Sequence, residues 1–353
     1  MAIKIAKTLA VIFLTLFSVI GCTSKPQKEL RLYTWSEYFE PRLIKAFEQQ
    51  SGIKVKVDYF SSNEQLLAKL QISEKGKASG YDLILPSDWM VHTMIELELL
   101  QSLDHGKLPI LSELSKQAFT FFYDTGLKYV VPLTIGTTGL AINTKLFKGI
   151  DIKKLSWRDV FENPKIAGQV TLLDDAREVI QSALFIQGKS FANATEADVR
   201  AAFDYVKKHK NNIKAFTSET RSVVEADECA ICHMYSGDAL QVKASKPEIE
   251  FVIPKEGATI WTDNFAIPKN AENPDYAYQF INFMLAAENS KTFTERLYYR
   301  TPNENSRKIL SKEILENPAV FLPKDLERKT VFIPERKDLM LLLDRGWTEL
   351  KLL

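Results

Sequence analysis

Short apolar strands alternate with amphipathic helices along most of this chain, and that alternation narrows its fold more than any other feature. Leu30–Tyr33 reads as a strand. Pro41–Gln50 carries Leu43, Ile44 and Phe47 at helical spacing, and Gly52 supplies the stop. Ile53–Tyr59 alternates apolar and polar residues strictly, as a half-exposed strand does. Asn63–Ser73 is helical, with Leu66, Leu67 and Leu70 on one face. The run Tyr81-Asp-Leu-Ile-Leu-Pro86 is nearly continuous in apolar residues, the pattern of a buried parallel strand, and a helix from Ser87 to Leu97 follows. This order predicts an α/β sheet with crossover helices.

The 353 residues suggest two domains at about 150 residues each. Residues 129–143 form a long extended stretch broken by Pro132, Gly136 and Gly139, expected to cross between them. Alternation then resumes: a strand at Gln169–Leu173, helices at Arg177–Gln187 and Ala197–Lys210, a strand at Cys229–Tyr235 and a short helix at Gly237–Ala244. Ile249–Ile253 and Trp261–Ile267 are extended again, the second as a return crossing. Asn273-Pro274 is expected to cap and start a helix whose core face carries Tyr276, Phe280, Phe283 and Met284. The expected division is one lobe from 29–137 plus 264–308 and another from 138–263 plus 309–353.

The N-terminus reads as an address. Lys4 and Lys7 precede the apolar stretch Leu9–Ile20, which is too short to span about 30 Å of hydrocarbon, so residues 1–21 are expected to be a signal peptide. The ending Val19-Ile20-Gly21-Cys22 resembles a bacterial lipoprotein signal. That resemblance implies lipidation at Cys22, a tether over 22–28, and a soluble domain anchored in the cell envelope or periplasmic space without spanning the bilayer. Apolar residues at 45% and charged residues at 26% exclude a disordered chain, a collagen or a disulfide-dense mini-protein. Lys plus Arg is 46 against 45 Asp plus Glu, so no basic excess exists to bind nucleic acid.

In open α/β sheets ligands bind beyond the carboxyl ends of the strands. At those ends this chain places Trp35-Ser36-Glu37-Tyr38, then Ser87-Asp88-Trp89, Asp174-Asp175-Ala176-Arg177-Glu178, Tyr235-Ser236-Gly237-Asp238, and Trp261-Thr262-Asp263. One Trp by itself is core, and one Asp after a strand is a helix cap. Carboxylates at all five ends and aromatics at four point instead to one shared site. Ammonium groups are attracted to ring faces and form charge-assisted bonds with carboxylates, so an elongated dication suits acids with aromatic walls between them. A neutral sugar is the competitor, but burying several uncompensated carboxylates is expensive unless a cation neutralises them.

At these residues the chain resembles the bacterial periplasmic polyamine-binding proteins, the spermidine/putrescine receptors of ABC importers. The blocks LYTWSEY (32–38), YDLILPSDW (81–89), TLLDDAREV (171–179), IWTDNFAIP (260–268) and YYRTPN (298–303) carry the resemblance. It implies a two-lobed type II periplasmic-binding-protein fold, each lobe a sheet flanked by helices, with a polyamine in the cleft. It further implies ligand contacts at Trp35, Ser36, Glu37, Tyr38, Ser87, Trp89, Asp175, Glu178, Tyr235, Asp238, Trp261, Asp263 and Tyr299. Tyr235 stands where the family has Trp, and Trp89 where the spermidine receptor has Tyr. Asp238 matches an Asp of the putrescine receptor that is Ser in the spermidine receptor, which leans towards putrescine. Membrane permease subunits are the implied partners, and a monomer is expected.

Two other readings stay open. Cys229-Ala-Ile-Cys232-His233 matches the C-x-x-C-H pattern of c-type haem attachment. In a strand, however, side chains three apart point to opposite faces with Cα atoms about 10 Å apart, so these are expected to be core cysteines. Paired carboxylates with aromatics could also make a glycosidase. No G-x-S-x-G, H-E-x-x-H, P-loop or G-x-G-x-x-G occurs in a suitable context, and the four histidines have no metal-ligand spacing. A binding protein without cofactor or metal, rather than an enzyme, is the expectation.

Overall fold

The computed structural model describes residues 27–36, 38–72, 79–147 and 151–353; Cys22 and Glu37 lie outside them. Among the described residues ten strands form one sheet: β1 Glu29–Trp35, β2 Lys54–Phe60, β3 Leu83–Ile84, β4 Val130–Asn143, β5 Val170–Leu173, β6 Ile213–Thr217, β7 Ile231–Tyr235, β8 Ile249–Val252, β9 Ala258–Ala266 and β10 Thr330–Val331. The order is β2-β1-β3-β9-β4-β7-β5-β6, with β10 beside β9 and β8 beside β4. β1 pairs in parallel with β2 and β3, and β5 in parallel with β6 and β7. Parallel neighbours need crossovers, and the helix Pro41–Ser51 joins β1 to β2. Gly52 ends that helix in the left-handed region at φ 69°, its N–H donating to the Glu48 carbonyl.

β4 is buried along all fourteen residues, because it is the spine shared by two cores. Its first part pairs antiparallel with β9 from Val130↔Ala266 to Thr138↔Thr259, and its last part pairs with β7 and β8. The apolar cluster on the first side draws on Leu30–Ile135 and Ile260–Tyr299. The second draws on Leu140–Ile213, Ala230, Ile231 and Ile333–Leu350. The C-terminal segment touches both: Phe332 packs against Phe121 and Phe122 of the first side, while Ile333 enters the second core.

Three local expectations need correction. The strand expected over 81–86 shrinks to Leu83–Ile84. Pro86 has no N–H to extend a ladder, and Asp82 instead ties the Arg31 and Asn273 N–H groups together at 3.0 and 2.7 Å. For that reason Asn273 does not cap its helix; its side chain donates to Asp82 at 3.4 Å. Cys229 precedes β7 rather than lying in it, so strand alternation does not govern the pair. Both thiols are free and sit inside an apolar cluster with Met234, where each perturbs the other's ionisation.

Candidate functional site

Asp263 is the centre of the acid–aromatic cluster. Alternation along β9 puts Trp261 and Asp263 on one face and Thr262 and Asn264 on the other, where the Tyr123 hydroxyl meets Thr262 Oγ1 at 2.7 Å and Asn264 Oδ1 at 3.0 Å. The buried Asp263 carboxylate accepts from Ser87 Oγ at 2.6 Å and from the Tyr38 hydroxyl. Ser87 is set there by a backbone bridge to Asp263 and by its N–H donating to Asn63 Oδ1 at 3.1 Å. Burial lifts the Asp263 carboxyl to about 6, while the hydrogen bonds from Ser87 and Tyr38 favour its anion. The indole N–H groups of Trp35 and Trp261 are buried without a hydrogen-bond partner among the described residues.

Aromatic rings enclose this carboxylate. Trp261 stands edge-on to Tyr299, with centroids 5.0 Å apart at 71°, and edge-on to Tyr235 at 5.4 Å and 80°. Tyr38 lies 6.5 Å from Tyr299. Two glycines make room for these rings. Gly136 on β4 faces Trp261 in register, and a Cβ there would stand 2.3 Å from the indole. At Gly237 a Cβ would come within 2.2 Å of the Leu297 carbonyl and 2.5 Å of the Tyr299 ring.

The remaining acids arrive on helix starts from the second side. Asp238, in the first turn of Ser236–Ser245, accepts from the Tyr299 hydroxyl at 3.4 Å. Asp175 caps the helix Ala176–Ile186, accepting from the Arg177 and Glu178 N–H groups at 2.8 and 3.3 Å. Burial and then the charges of Asp175, Glu178, Asp238 and Asp263 push the Tyr235 phenol well above its ordinary range. Tyr235 therefore lies within electrostatic reach of all four acids. Asp88, buried like Asp263 and Glu178, is raised well above the ordinary carboxyl range, chiefly by burial and then by the charges of Asp263 and Glu178.

Glu178 is turned inward. It accepts from Thr138 Oγ1 at 3.0 Å and from Thr259 Oγ1 at 2.9 and 2.8 Å, and burial, then Asp175, lifts it to about 8. His233 is 3.8 Å away, and burial drops it to about 3. At neutral pH this contact therefore joins two uncharged groups. Trp89 is set apart from the other rings: the Arg177 guanidinium covers its face, 3.4 Å from the centroid. Ser36 is exposed on the turn after β1. Surface recesses of about 500 and 610 Å³ lie elsewhere, around Asp159 and Lys255 and around Phe203 and Gly346, and carry both charge signs. The cluster with converging acids and rings is the better site, because those recesses lack an aromatic wall with one sign of charge. Among the described residues no group of His, Cys, Asp and Glu could hold a metal, and no helix is long and apolar enough to cross a membrane.

A family model described as bacterial extracellular solute-binding protein matches residues 42–322, most of the chain. The chain belongs to that family. As a family member it is 34% identical over 330 residues to the spermidine/putrescine-binding periplasmic protein 1 of Haemophilus influenzae, covering 93% of this chain and 90% of that one. It is 31% identical to a putrescine-binding periplasmic protein of Escherichia coli, covering 94% of each. Among solved structures, a spermidine/putrescine ABC transporter substrate-binding protein from Streptococcus pneumoniae superposes with a TM-score of 0.80 at 28% identity, covering 92% of this chain and 99% of that one. The type II periplasmic-binding-protein fold follows from this likeness.

Thr138, Thr259, Gly136 and Gly237 join the site without having been expected as site residues, and Asp88 and Arg177 stand at the strand ends without having been expected as contacts. The glycines left a signal only as breaks in extended or helix-starting segments. The threonines look like ordinary strand residues until β4 and β9 are paired.

Proposed function

We propose that this solute-binding protein captures a polyamine outside the cytoplasm and delivers it to the permease of an ABC importer, without making or breaking a bond. The observation that carries the reading is the buried Asp263 carboxylate inside a wall of Trp35, Tyr38, Trp261, Tyr235 and Tyr299, with Asp238 and Asp175 nearby. An ammonium set against Asp263 neutralises a charge that is costly to bury. Ring faces add roughly 0.5–2 kcal/mol per cation–π contact. Asp238 supplies a second acid for the far ammonium of a short diamine, which favours putrescine over spermidine. The relatives carry polyamines in their names. The two cores act as lobes, 29–137 with 264–308 and 138–263 with 309–353, that close on the ligand. The protein works as a monomer, tethered to the envelope through lipidated Cys22.

Titration calorimetry with putrescine, cadaverine, spermidine, spermine and a neutral disaccharide tests this. Heat with the amines, largest affinity for putrescine, is expected. Heat with the sugar alone moves the assignment to a sugar receptor, and silence with every amine ends the polyamine reading.

A further inference from the structure

Arg177 extends from the helix Ala176–Ile186, whose buried face belongs to the second core. Its guanidinium nonetheless rests on elements of the first side. It lies 3.4 Å from the Trp89 ring centroid and 3.8 Å from Glu64 Oε1, and its charge acts on buried Asp88. Trp89 packs on the first core, and Glu64 sits in the first turn of Asn63–Ile72, whose Leu66 and Leu70 are in that core. The Arg177 side chain is only 14% exposed although it reaches between two bodies. Planar guanidinium over indole is the strongest form of this contact, because Arg is weakly hydrated and Trp has the largest ring quadrupole. The Arg177 backbone N–H is held by Asp175, one of the acids around Tyr235.

We propose that Arg177 is a latch across the cleft, seated in a receptor made by Trp89 and Glu64, and that Trp89 serves lobe closure rather than contacting the ligand. This rests on the reading of the cleft as a ligand site. A latch of this kind favours the closed form with or without ligand, so it draws the ligand-free protein towards closure, lowers the ligand's escape rate and raises affinity for every ligand the cleft encloses. Because Asp175 caps the latch helix and its charge also acts on Tyr235, ligand capture and latching share one side chain.

The test uses the mature protein and Arg177→Met, which keeps an apolar stem on Trp89 and removes the cation, with Arg177→Lys as the conservative variant. Arg177→Met should weaken putrescine and spermidine by the same factor, about three- to thirtyfold, mostly as faster release. Arg177→Lys should recover part of it. Unchanged affinity and release would overturn the latch. Loss for one polyamine only would make Arg177 a ligand contact and overturn it too. A second readout needs no ligand. Small-angle scattering of the ligand-free proteins should show a larger radius of gyration for Arg177→Met than for wild type, and equal radii would sink the latch. A wild type that binds no polyamine yet shows this difference would refute the function and keep the latch.

Discussion

A carboxylate enclosed as deeply as Asp263 keeps its proton to about pH 6, and the sign of that shift sets how the site should respond to acid. The raised value means the native state favours the neutral acid. Asp263 therefore contributes stability below the ordinary carboxyl range, and that contribution is lost as pH rises through about 6. An ammonium ligand favours the anion, so affinity should be flat at neutral pH and fall once pH drops below about 6. Asp263→Asn should cost more than tenfold in affinity and abolish that pH dependence, as read by calorimetry from pH 5 to 8. Full binding by Asp263→Asn would place the site elsewhere. Glu178 behaves differently, since its acceptors are filled by Thr138 and Thr259 and it is lifted to about 8. Its stabilising contribution as a neutral acid is complete below the ordinary range and is lost as pH rises through about 8. Glu178→Gln should therefore raise Tm by about 2–6 °C at pH 8 and less at pH 6, with ligand affinity nearly kept. A tenfold affinity loss in Glu178→Gln, with Tm unmoved, would instead make Glu178 a direct ligand group.

Strands and helix starts position these side chains. β9 delivers Trp261 and Asp263 on one face because a strand alternates, and β4 can lie against that indole only because residue 136 has no side chain. Gly136→Ala should displace Trp261, weakening polyamine binding by about tenfold or more. The protein should stay folded, since the colliding group is a side chain at the cleft rather than core backbone. Near-ultraviolet circular dichroism reports the indole's change of setting, and an unaltered spectrum with unaltered affinity would show that the ring's place is not set by this glycine. The helix starts explain why the acids converge. Asp175 and Asp238 each stand at or within the first turn of a helix that follows a strand, where a carboxylate suits the free N–H groups. The cap role that a single Asp normally plays is thus real at Asp175, and it is compatible with facing the cluster.

For the molecule as a whole, the alternation of strands and helices made the α/β class, the crossing at β4 and the return at β9 legible in advance, because periodicity and glycine or proline breaks are local properties. The recurrence of acids and rings at strand ends was legible for the same reason, and most of those residues do meet around Tyr235 and Asp263. What lay beyond the sequence was long-range. The inward turn of Glu178 onto two threonines, the glycine gaps under Trp261 and Tyr299, and the seating of Arg177 on Trp89 each depend on segments brought together from distant parts of the chain. Spacing along a chain determines which face of an element a side chain occupies; only the packing of two elements decides what that face meets. The sequence therefore settled the class of the fold and the residue types of the cluster, and the tertiary structure decided which acid is enclosed by rings, which is turned inward onto threonines, and which cation rests on Trp89.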